Sequence, residues 1–148
     1  MGTILIDTSV LVYTCDPRDL RKHQRAIDLL EHLRRTERAV ISVQILGEFF
    51  SATTRGRAPL LTVADACQRQ DELSVIFAVL VPTPAIALEA ARGVRVHQLS
   101  YWDAQIWATA RLNQVPIILT EDQQEGRRLE SVRFVNPFVD DFQLDAWF

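Results

Sequence analysis

ILIDTSVLVY, residues 4–13, decides how the chain is read. Ile4, Leu5 and Ile6 form a short, continuous apolar run. Such a run suits a strand buried on both faces, as in parallel sheets covered by helices. Asp7 closes the run, and Thr8 and Ser9 follow it. A carboxylate at that junction has two competing readings. It is either the N-cap of the next segment or a functional acid at a strand's carboxyl end, where open α/β sheets bind ligands. For Asp7 alone the two are evenly matched.

Outward from this stretch, short apolar runs alternate with helical patterns. Residues 20–35 place Ala26, Leu29, Leu30 and Leu33 at helical spacing. AVI at 39–41 reads as a second strand. Ser42 is the N-cap of a helix running to about Thr54, with Gly56 as a stop. Thr62 opens another helix, with Asp65 three residues on. VLV at 79–81 is a third strand, and Pro84 suits the first turn of the next helix. Ser100 caps a helix through Leu112, IIL at 117–119 is a fourth strand, and Val132–Val135 supplies a fifth. Apolar strands separated by helices imply a three-layer α/β/α sandwich around a central parallel sheet. With no linker, repeat or low-complexity stretch, residues 1–148 read as one domain.

The composition is that of an ordinary soluble protein, with 48% hydrophobic and 24% charged residues. No run approaches the roughly 20 apolar residues of a membrane span, and no basic leader opens the chain. Cys15 and Cys67 read as free thiols of a reducing compartment, so a cytoplasmic protein is expected. His23, His32 and His97 lack zinc-ligand spacing. The net charge of −3 gives no overall attraction to nucleic acid. Lys22 is the only lysine, and the arginines fall in local groups. Each group alone is a solvated helix face; several around an acidic pocket would make a track for phosphates.

Three further carboxylates stand beside element boundaries. Asp103, in SYWDAQIWATA, shares a helix face with Ile106, Trp107 and Ala110. Ser100 with Asp103 resembles a capping box. Yet Tyr101, Trp102 and Trp107 surround this acid, and a plain cap needs no aromatic neighbours. Glu48, in SVQILGEFF, lies at the border of the face marked by Ile45, Phe49 and Ala52. Alone it reads as a solvated helix residue. Asp122, in IILTED, reads alone as a loop acid, and Glu121 competes with it. Thr120 is placed to order that corner. An α/β fold gathers strand ends, and gathered carboxylates repel unless a cation neutralises them. That pattern points to Mg²⁺ or Mn²⁺ and phosphodiester chemistry.

ILIDTSVLVY, SVQILGEFF, SYWDAQIWATA and IILTED, in this order, resemble the PIN-domain nucleases, and most of all the VapC-type toxins of toxin–antitoxin pairs. The resemblance runs from Ile4 to about Phe138. It implies a metal-dependent endoribonuclease holding one or two Mg²⁺ or Mn²⁺ ions. It implies Asp7, Glu48, Asp103 and Asp122 as the acids that hold them, supported by Thr8, Ser9 and Thr120. It also implies an RNA substrate, an antitoxin partner and a homodimer. The alternative is a catalytically silent PIN-like module that binds RNA or protein. A phosphoaspartate phosphatase is disfavoured, because Ser9 stands where its second acid belongs and the only lysine is early. A receiver domain fails on the same lysine. The aromatic end, Phe142, Trp147 and Phe148, either docks on its own domain or completes an interface.

Overall fold

The computed structural model describes residues 2–146. Strand β1 (Ile4–Ile6) is fully buried and leads into a short helix, α1 (Thr8–Tyr13). Helix α2 (Leu20–Thr36) returns the chain to β2 (Ala39–Ser42), and α3 (Val43–Thr54) follows. Next come α4 (Val63–Ile76), β3 (Ala78–Leu80), α5 (Pro84–His97) and α6 (Tyr101–Leu112). Strands β4 (Ile117–Leu119), β5 (Arg128–Leu129) and β6 (Val132–Val135) complete the sheet.

The strand order is β3-β2-β1-β4-β6-β5. Strand β1 pairs in parallel with β2 on one side and β4 on the other. The order therefore reverses at β1, and the crevice outside its carboxyl end is where such sheets bind ligands. Asp7 occupies that end, and its N–H donates to the Leu119 carbonyl at 2.9 Å.

Local chemistry sets the helix starts. Ser42, Thr62 and Ser100 cap α3, α4 and α6, as their sequence positions predict. Pro84 sits in the first turn of α5, which Thr83 caps. The core includes the wholly buried Trp107, whose Nε1 donates to the Leu129 carbonyl at 3.2 Å. Gly93 lies against that indole: a Cβ there would stand 2.8 Å from Trp107 Cζ3.

The sheet departs from the sequence reading at its edges. The third strand begins one residue earlier than expected and is only partly covered, because it has a neighbour on one side only. Strand β5 was not expected at all, and it pairs antiparallel with β6. It holds two residues, too few to show a hydrophobic period, and its turn relies on Glu130 at φ 56°. The sheet is thus mostly parallel with one antiparallel edge.

Phe142 packs against the core, and the Arg25 guanidinium lies 5.8 Å from its ring centre. Trp147 and Phe148 lie outside the described residues. Among the described residues, no helix is long and apolar enough to cross a membrane.

Candidate active site

Asp7 takes the capping role that its sequence position allowed. It is the N-cap of α1, accepting the Thr8 N–H at Oδ1 over 2.8 Å. Its Oδ2 accepts the Thr120 hydroxyl at 2.7 Å, which ties the ends of β1 and β4 together. The carboxyl is buried. Burial pushes its pKa from 3.8 up to about 7, against the two hydrogen bonds and with help from the charges of Asp122 and Glu48.

Asp103 sits in the first turn of α6, where its N–H donates to the Ser100 hydroxyl at 3.4 Å. Its carboxylate Oδ2 accepts the Gln123 side-chain amide at 3.3 Å. Asp7 and Asp103 line the same inner void, together with Thr120 and Gln123. The void is about 10 Å³, close to the smallest space that holds one water-sized species.

Glu48 is half-buried rather than solvated, because α1 packs against α3 beside it. Its Oε2 accepts the Thr8 hydroxyl at 2.7 Å, and its Oε1 accepts the Gln44 amide at 2.8 Å. The same Gln44 nitrogen also donates to the Trp102 carbonyl at 3.0 Å. Gln44 Oε1 is buried and has no hydrogen-bond partner among the described residues.

The adjacent acids of the TED corner part company. Glu121 accepts the Tyr13 hydroxyl at 2.7 Å and pairs with the Lys22 ammonium. Its N–H donates to the Ser9 hydroxyl at 3.1 Å. The bond to Glu121 holds the Lys22 pKa above its usual value. Asp122 donates its N–H to the Thr120 hydroxyl at 3.1 Å, while its carboxylate has no hydrogen bond among the described residues. Partial burial, then the charges of Glu121, Asp103 and Glu48, raise the Asp122 pKa. Asp122 and Glu48 line an open cleft of about 510 Å³ with Thr8, Ser9, Tyr13 and Arg55.

The fold therefore brings the four acids together in two adjoining spaces. Asp7 and Asp103 face the inner void, and Glu48 and Asp122 face the cleft. Among the described residues, no three acidic, histidine or cysteine side chains converge into a ready-made metal cage.

Sequence reasoning missed the Tyr13–Glu121–Lys22 cluster. Its members are 99 and 108 residues apart along the chain, and no spacing rule joins them. It also missed Asp16, a buried acid on the cleft wall. Arg18 grips both Asp16 oxygens, at 2.8 and 2.7 Å, and lowers its pKa.

The sequence matches the PIN domain family over residues 4–131. The chain belongs to the PIN-domain family. This PIN domain shares its fold with several solved proteins. One is Mycobacterium tuberculosis VapC20, described as a sarcin-ricin loop cleaving toxin. The two are 19% identical, over 78% of this chain and 87% of that one, with a TM-score of 0.61. FitAcB from Neisseria gonorrhoeae is also 19% identical, over 92% of this chain and 99% of its own, with a TM-score of 0.66. DNA-bound VapBC from Salmonella typhimurium is 17% identical, over 90% and 97%, with a TM-score of 0.64. At such identities the likeness is one of fold. No curated protein sequence matches the chain significantly.

Proposed function

We propose that this PIN domain is a metal-dependent endoribonuclease and the toxin of a toxin–antitoxin pair. One observation carries the reading. Asp7, buried at the switch point of the sheet, is held near a pKa of 7 in a space that it shares with Asp103. Burial at that cost to the charged form makes sense where a cation compensates for it. The donor set is all oxygen, which suits Mg²⁺ or Mn²⁺ and explains why no histidine or cysteine takes part. Mg²⁺ keeps several waters and binds through one or two carboxylates, so a closed protein cage is not required. The orphaned Gln44 Oε1, beside Glu48, is an acceptor suited to a water of such an ion.

Asp7 and Asp103 would hold the ion, with Asp122 and Glu48 from the cleft side. Asp122 is preferred to Glu121, whose oxygens already serve Tyr13 and Lys22. When bound, the ion would supply an activated water and neutralise charge on the phosphate under attack. The chain's own part is positioning. Thr120 fixes the Asp7 carboxylate, Thr8 fixes Glu48, and Ser9 holds the backbone of the TED corner. The VapC20 description supports RNA as the substrate class. The VapBC and FitAcB structures support an antitoxin as partner. A homodimer accompanies this reading.

RNA cleavage with Mg²⁺ or Mn²⁺ is the test. Asp7→Asn and Asp103→Asn should abolish it while circular dichroism stays unchanged. The loss should exceed the 10- to 100-fold typical of residues that merely orient a ligand. Full activity in either variant would sink the assignment. A wild-type protein that binds RNA without cutting it would be the silent module instead.

A further inference from the structure

We propose that a single-stranded RNA segment lies along α3, with one unpaired base stacked on Trp102 and one backbone phosphate held by Arg55. The proposal rests on the nuclease reading and adds where the substrate runs.

Helix α3 sets the line. Glu48, Ser51, Ala52 and Arg55 all line the cleft, so that face of the helix is the cleft wall. Gln44 continues the same face one turn earlier, through its bond to Glu48. At a helical rise of 1.5 Å per residue, Gln44 and Arg55 stand roughly 16 Å apart. Glu48 lies between them, and Asp122 lines the same cleft.

An aromatic pair marks the Gln44 end. Trp102 is 61% exposed and Tyr101 is 37% exposed. Their rings meet edge to face, with centroids 5.0 Å apart. That geometry leaves at least one face of the indole open. The backbone beneath is tied to the site, because Gln44 bonds both the Trp102 carbonyl and Glu48. The next residue in the chain is Asp103. An exposed indole fixed beside carboxylates that repel a polyanion has a use if it grips the part of RNA without charge. Every base offers a flat face to an aromatic ring, but only when it is unpaired.

Arg55 marks the other end. Most arginines of this chain are already engaged. Arg18 holds Asp16, Arg34 and Arg35 hold Glu31, and Arg21 and Arg25 bond carbonyls near the C-terminus. Among the described residues, the Arg55 guanidinium has no hydrogen-bond or ion-pair partner. It faces the cleft, where a planar fork suits a phosphate. Stacking at one end and a charge contact at the other would hold a strand across the acids.

The test is binding of a fluorescein-labelled single-stranded oligoribonucleotide to Asp7→Asn protein, in which cleavage is removed. Trp102→Ala in that background should weaken binding by about 5- to 150-fold, the range for one lost base stack. Trp102→Phe should keep it within about twofold, and the matching duplex should bind more weakly. Arg55→Gln should reduce the salt dependence of log Kd by about 0.7, the value for one phosphate on a single strand. Trp102→Ala should leave that salt slope unchanged. Equal binding and equal slopes in all variants would overturn the track. So would a change of sedimentation in Trp102→Ala, which would make the aromatic pair a subunit contact. If wild type cleaves RNA while these variants bind like their parent, the nuclease reading stands and the track falls. If wild type cleaves none and the Asp7→Asn protein binds none, both fall.

Discussion

Asp7 caps a helix, ties two strands and carries a charge at once, and these roles pull against each other. In the metal-free protein its raised pKa has a definite effect on stability. The unfolded chain loses this proton near 3.8 and the folded protein loses it near 7. Between those values the folded state holds the extra proton. Its contribution to stability is therefore full below the lower value and is lost as pH rises through the upper one. The slope reaches roughly 1.4 kcal/mol per pH unit. The Asp122 pKa is shifted in the same direction. Urea unfolding in EDTA at pH 5 and pH 8 should show wild type weaker at pH 8, with the difference reduced in Asp7→Asn. That variant keeps one oxygen for the Thr8 N–H, and its amide nitrogen can donate to the Thr120 hydroxyl, which turns to accept. Equal loss of stability at both pH values would make the capping role dominant. The TED corner offers a second check. Asp122→Asn should lower RNA cleavage more than Glu121→Gln, because the Glu121 oxygens are already bonded. The reverse order of kcat losses would make Glu121 the metal-binding acid.

Helices α5 and α6 show how far an element can be read from its own residues. Gly93 in mid-helix looks like a weakness, since glycine costs about 1 kcal/mol against alanine there. Its reason lies on the neighbouring helix, where the Trp107 ring fills the space of a side chain. Gly93→Ala should therefore lower the melting temperature, because about 1–3 kcal/mol of overpacking exceeds the gain in helix propensity. A raised melting temperature would mean that the indole moves aside. Helix starts were legible because a cap is chemistry within three residues, as at Ser42, Thr62 and Ser100. The central strands were legible as apolar runs. Strand β5 was not, because two residues carry no period. The four acids could be found as residues placed at strand and helix ends. What holds them could not: the Thr8–Glu48 bond spans 40 residues and the Tyr13–Glu121 bond spans 108. Glu48 taken alone looks solvated for that reason, since its cover comes from α1 and not from its own helix.

Across the whole molecule, the strand order puts β1 between two neighbours and leaves its carboxyl end as the meeting point of the acids. A cation bound there should stabilise the entire fold, by about 2.7 kcal/mol at 100 times its dissociation constant. Thermal melts with EDTA and with millimolar Mn²⁺ should show that rise in wild type and lose most of it in Asp103→Asn. The metal-free variant should be no less stable than wild type, because one repelling charge is gone. A destabilised variant with an unchanged Mn²⁺ response would return Asp103 to a purely structural role. Two residues of the cleft wall, Tyr13 and Glu121, hold the chain's only lysine, Lys22. Amine-reactive reagents thus have one side-chain target, and it reports on this region alone. The Glu121 partner keeps Lys22 protonated, and only the neutral amine is acylated, so labelling should be slow. Glu121→Gln should speed it, giving a single mass increment on the Lys22 peptide whose rate follows the integrity of the Tyr13–Glu121–Lys22 clamp.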